Sequence, residues 1–203
     1  KRRELPAFAA AGVILSGVFF DLQGGSTYGK HALLLMEKLG CKATESRTLF
    51  VVHSLVLPWT RPAQSMLRPL LRSYESGLQT GDTESAMWGI YHYILIAFQA
   101  GRSLVALEAD CRAYVKQMQE LKRDKISIQC RLTWQMMLNL IGRSENTTVL
   151  TGEAMDQEEC LEVAGRPENH HLLAMFQSHQ TTLCAIFGEH ELGADLAISN
   201  SGN

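Results

Sequence analysis

Along residues 103–122 the apolar positions Leu104, Leu107, Cys111, Tyr114, Met118 and Leu121 recur at spacings of 3, 4, 3, 4 and 3. That period predicts one apolar stripe on an α-helix. The charged residues Glu108, Arg112, Lys116 and Glu120 fall on the other side. Ser103 is placed to cap the first turn, after Gly101 closes the helix before it. That preceding helix, over 83–99, has a different pattern. Met87, Tyr91, Leu95 and Phe98 make one face, and Trp88, Ile90, Tyr93, Ile94 and Ile96 fill the others. A helix that is apolar on most faces is surrounded by neighbours. About three residues separate the two helices, which predicts an antiparallel hairpin.

The same grammar predicts helices over 7–20 and 22–39, 44–57 and 62–78, 126–141, 168–187 and 190–199. Pro58 ends one of them and Pro62 stands near the start of the next. Pro69 lies inside the latter and predicts a kink or a late start near 68. Residues 126–141 carry Ile126, Cys130, Trp134, Met137 and Ile141 on one face. The polar stretch 143–166 reads as a long loop with one short helical turn. Three turns share a signature, with an acidic residue at a helix start and a small residue four positions on. The pairs are Asp21 and Gly25, Asp82 and Ala86, and Glu189 and Gly193. The acid favours the positive helix N-terminus, and the small residue lets a neighbouring helix approach closely. Helical hairpins repeated with such signatures predict a helical-repeat array, here degenerate and irregular in spacing.

Composition narrows the class of protein. With 203 residues, 46% hydrophobic and 20% charged, the chain can bury a sizeable core. A net charge of −2 offers no basic excess for nucleic acid or an anionic membrane. The longest apolar run, 88–98, is too short to span a bilayer. Cys41, Cys111, Cys130, Cys160 and Cys184 are isolated, with no C-x-x-C pair, so neither a zinc site nor a disulfide framework is signalled. Reduced thiols and a cytoplasmic location are the expectation. The sequon at Asn146 reads as idle. The chain starts at Lys1 without a Met, and both ends read as cut from something longer.

The ordered series "PLLRSYESGLQTGD", the turn "AGRSL" after an aromatic-rich helix, "LNLIG" and "LTGEAMDQEECL" resembles a known family region. It is similar to the tetratricopeptide-like helical region of large multidomain signalling proteins. Those proteins carry a Ser/Thr-kinase-like domain, then an AAA or STAND-type ATPase, then this region. In many of them GAF and histidine-kinase or cyclase modules follow. The resemblance covers residues 7–199. It implies an all-α, tetratricopeptide-like α-solenoid of stacked antiparallel hairpins, one domain over 1–203, within a larger protein. It also implies a non-catalytic interaction and regulatory module that relays between an ATPase switch and output domains. Kinase, ATPase and sensor residues have no counterpart positions in this chain.

Several constellations test that reading for chemistry. "GGSTYGKH", residues 24–31, is one residue short of a P-loop, with His31 where a Mg²⁺-binding hydroxyl is needed. No downstream strand ending in Asp is visible, and strands do not alternate with helices. The rival reading, a helical enzyme or nucleotide-binding domain using Lys30, rests on this segment. The helical reading puts Gly25, Gly29 and Ala32 on one smooth face instead. Glu168 and His171 form an E-x-x-H, but a di-iron bundle needs a second copy and two further carboxylates. His171 and His179 lie roughly 12 Å apart along a helix, and His179 reads as a surface residue. No G-x-S-x-G occurs. His53 and His92 read as hydrogen-bonded core or groove residues. No catalytic, cofactor-binding or metal residue is therefore assigned, and no cofactor is expected. In a repeat array the inner helices line a concave groove, which makes Trp88, Tyr91, His92 and Trp134 the candidate partner groove. The expected partner is protein, either other domains of the parent chain or separate proteins. Nucleic acid and membrane are not expected, and the sequence names no small-molecule effector.

Overall fold

The structure is a computed structural model that describes residues 5–200. Every regular element among them is helical. The chain divides into two compact units, Lys1–Arg102 and Ser103–Asn203. Their boundary falls at the turn of the hairpin expected from 83–122.

The first unit holds α1 (Leu5–Gly17), α2 (Leu22–Leu39), α3 (Lys42–Val51), α4 (Gln64–Thr80) and α5 (Thr83–Gln99). α3 does not stop at Val51. It runs on through a π-helical stretch, Val52–Val56, and a 3-10 turn, Leu57–Trp59. Pro58 therefore ends this helix by tightening it, not by cutting it short. α4 begins at Gln64 and passes through Pro69 without a late start. Pro69 lacks the N–H that would reach the Ser65 carbonyl one turn back.

Small residues set how closely these helices approach. Asp21 caps α2 by accepting from the Gly24 N–H at 2.8 Å. The Gly25 N–H then donates to the Asp21 carbonyl at 2.9 Å. A Cβ on Gly25 would run into Ser16 Oγ of α1 and lie 2.8 Å from the Gly12 carbonyl. Asp82 caps α5 through the Ser85 N–H at 3.1 Å, directly after Gly81 ends α4 with φ of 79°. A Cβ on Gly77 of α4 would sit 2.7 Å from Ala86 Cβ. Ser46 and Ser73 stitch α3 to α4 reciprocally, each hydroxyl donating to the other's carbonyl at 2.8 Å. α5 is enclosed as its pattern predicts, with Met87, Ile90, Tyr91, Ile94, Ile96 and Ala97 all buried.

The second unit holds α6 (Leu104–Glu120), α7 (Asp124–Leu140), α8 (Gln157–Ala164), a 3-10 turn (Pro167–Asn169), α9 (His170–Phe187) and α10 (His190–Asn200). α7 is its centre, with 12 of 17 residues buried. α6 and α9 both pack on it, α8 packs on α9, and α10 pairs with α9. Here too the small residue after the acidic turn marks a close approach. A Cβ on Gly193 would lie 3.2 Å from Cys184 Cβ of α9.

The stretch 143–166 is more ordered than its polarity suggests. Residues 157–164 make a two-turn helix, capped by Asp156, which accepts from the Glu158 and Glu159 N–H groups. The loop before it is pinned to a polar stripe on α7. Asn139 Nδ2 donates to the carbonyls of Asn146, Thr147 and Val149 at 3.2, 3.1 and 2.8 Å. Gln135 accepts from the Ala154 N–H at 3.0 Å, and Arg131 Nε donates to the Ala154 carbonyl at 2.6 Å. No helix among the described residues is long and apolar enough to cross a membrane.

Candidate functional site

In the first unit α3 packs against both α1 and α5. Between α1 and α3 runs an apolar groove of about 280 Å³, lined by Ala10, Val13 and Ile14 on one side and Arg47, Val51 and Leu55 on the other. Ile14 is 49% exposed and Leu55 38%, so the groove walls stay open to solvent. Among the described residues Arg47 is the one charged side chain that lines it.

Between α3 and α5 sits an aromatic cluster. The Phe50 and Trp88 rings stack with centroids 6.2 Å apart and planes 12° apart. The His92 ring lies 5.3 Å from Phe50, 5.9 Å from Trp88 and 5.2 Å from Tyr91. A carbonyl can only accept, so the 2.9 Å contact from His92 Nδ1 to the Trp88 carbonyl places a proton on Nδ1. Tyr91 is buried, whereas Trp88 and His92 are half-buried and keep an outer surface. Three of the four candidate groove residues are thus brought together, with Phe50 as a member the pattern did not single out.

Trp134 lies on α7. It belongs to the second unit, is 7% exposed, and its indole N–H donates to Glu108 at 3.0 Å. Glu108 corrects the helical-wheel expectation for α6. Its carboxylate is buried, not solvated, because it collects three donors: Trp134, Arg112 at 2.9 Å and Arg143 at 3.2 Å. Arg112 also reaches Glu153 and lies 5.6 Å over the Trp134 ring. Burial by itself would raise the Glu108 pKa. The hydrogen bonds from Arg112 and Trp134 and the charges of Arg112 and Arg143 outweigh it and hold the carboxyl below its ordinary value. The network ties the loop to the α6–α7 pair.

The remaining sequence candidates separate cleanly. "GGSTYGKH" lies wholly within α2, not across a strand, a loop and a helix. Lys30 and His31 are exposed, while Gly25 and Gly29 are buried against α1 and the π-helical stretch. Glu168 and His171 are exposed. His179 is half-buried: its Nε2 meets Thr133 Oγ1 at 3.1 Å, and burial lowers its pKa to about 4. Among the described residues no group of three or more His, Cys, Asp or Glu side chains could hold a metal ion.

No family model, curated protein or solved structure matches this chain.

Proposed function

We propose that this chain is a non-catalytic protein-interaction and regulatory module, built as a tetratricopeptide-like α-solenoid within a larger signalling protein. Its partner is a folded protein surface, in the first instance an ATPase or kinase-type output module of the same polypeptide. The observation that carries the reading is the α1–α3–α5 face. It combines an open apolar groove with a half-buried aromatic cluster, and the small-residue turns at Asp21 and Asp82 set the hairpins that build it. Apolar and aromatic surface left open at a groove is what partner recognition uses. Binding there would select among array shapes and pass a signal along the chain.

Calorimetric titration of this chain with its neighbouring ATPase and output modules tests the proposal. Saturable binding that Val13→Glu or Trp88→Ala weakens at least tenfold is the expected result. ATP in the same cell separates the rival nucleotide-site reading. Saturable ATP binding that Lys30→Ala abolishes, with no binding of either module, would overturn the proposal.

A further inference from the structure

A second cleft in the first unit, of about 580 Å³, opens over α3 between α2 and α4. Its size falls within the range of small-molecule sites, roughly 300–1,000 Å³. Leu33 and Met36 of α2, Leu49 of α3 and Leu71 of α4 supply apolar walls. His53, on the π-helical stretch, contributes to the floor and is 7% exposed. π-helical turns inside α-helices are rare and recur at functional sites.

The polar groups of this cleft are few and uncommitted. His53 Nδ1 lies 3.0 Å from the Leu49 carbonyl, which can only accept, so Nδ1 carries the proton. Nε2 is then a bare acceptor, with no hydrogen-bond partner among the described residues. Burial first, and the nearby Arg61 charge, outweigh the hydrogen bond to Leu49 and hold the His53 pKa below its ordinary value. Arg72 is already held by Glu45, its Nε donating at 2.7 Å. Arg68 of α4, Glu75 of α4 and Glu37 of α2 line the cleft with no ion-pair partner among the described residues. Among the described residues the cleft thus presents one cation and two carboxylates without an ion-pair partner, one buried acceptor and apolar walls.

We propose that this cleft binds a small zwitterion of the α-amino acid class with an apolar side chain. The ammonium group donates to Glu37, Glu75 and His53 Nε2. The carboxylate pairs with Arg68, whose planar fork suits it. The side chain lies against Leu33, Met36, Leu49 and Leu71. Each free charge then meets its opposite, which an apolar acid or an apolar amine alone would not achieve.

The test is calorimetry or saturation-transfer NMR on this chain with L-leucine and L-methionine as probes. Isovalerate, isoamylamine and glycine serve as arms that each lack one element. Submillimolar binding of leucine or methionine is expected, at least tenfold tighter than any of the three arms. Arg68→Ala and Glu75→Gln change exposed positions and leave the helices intact by circular dichroism; each should weaken leucine binding at least fivefold. No saturable binding of either amino acid up to 10 mM, or binding that neither variant changes, would overturn the proposal. Equal binding of isovalerate or isoamylamine would do so as well, because the second charge would then contribute nothing.

Discussion

Replacing Gly25 with Ala sets two magnitudes against each other. In a helix interior the change favours helix by about 1 kcal/mol. At this position the new methyl would run into Ser16 Oγ and sit 2.8 Å from the Gly12 carbonyl. Ser16 can turn its hydroxyl away. The carbonyl is backbone of α1, and relief there requires α1 and α2 to move apart by about half an ångström or more. Overpacking of this kind costs about 1–3 kcal/mol and occasionally more. The net expectation is a loss of about 1–2 kcal/mol, opposite in sign to propensity. Gly17→Ala is the matched control, because a Cβ there meets nothing within 4 Å. It should be neutral or stabilising by up to about 1 kcal/mol. Urea unfolding followed by far-ultraviolet circular dichroism reads both variants. If Gly25→Ala stabilises as much as Gly17→Ala, close approach does not explain the glycine in the first acidic-small turn.

Three further outcomes follow from the second unit. Asn139→Ala removes three hydrogen bonds to loop carbonyls and should cost about 2–4 kcal/mol; hydrogen exchange should rise across 143–156, and unchanged exchange there would contradict the pinning. Glu108→Leu leaves the buried Trp134 N–H without its acceptor and should cost about 1–3 kcal/mol, most of it lost again when Trp134 is also changed to Phe. For His179 burial lowers the folded pKa to about 4, below the ordinary imidazole value of 6.5. The unfolded chain therefore binds the extra proton first, and stability is fully present above pH 6.5 and falls as pH drops toward 4. His179→Gln should flatten that part of the stability–pH curve, and a curve identical to the parent's would contradict it.

Helix existence was legible because period and caps agree locally. The 3,4,3,4,3 stripe fixed α6, and Asp21 and Asp82 cap the helices assigned to them. Ser103 stands at its predicted N-cap position, yet its hydroxyl makes no capping bond. What escaped the pattern depends on partners far along the chain. Glu108 looks solvated on a helical wheel, because the donors that bury it come from α7 and the loop beyond. The Arg131, Gln135 and Asn139 stripe repeats every four residues, and a buried polar row of that period was the available signal that 143–156 folds back onto α7. The π-helical stretch at 52–56 has no sequence mark in "VHSLV", and His53 drew attention as a histidine rather than as cleft floor. Trp88, Tyr91 and His92 could be grouped from one helix. Trp134 follows the division at Arg102, which rests on contacts and not composition.

The central claim is that the α1–α3–α5 face is where this chain meets its partner. Hydrogen–deuterium exchange of this chain, alone and with the ATPase module of the proposed parent architecture added, tests it most directly. Slowed exchange confined to 9–14, 47–55 and 88–92 on engagement is the predicted result. Engagement that leaves those three segments unchanged and protects other helices would contradict it.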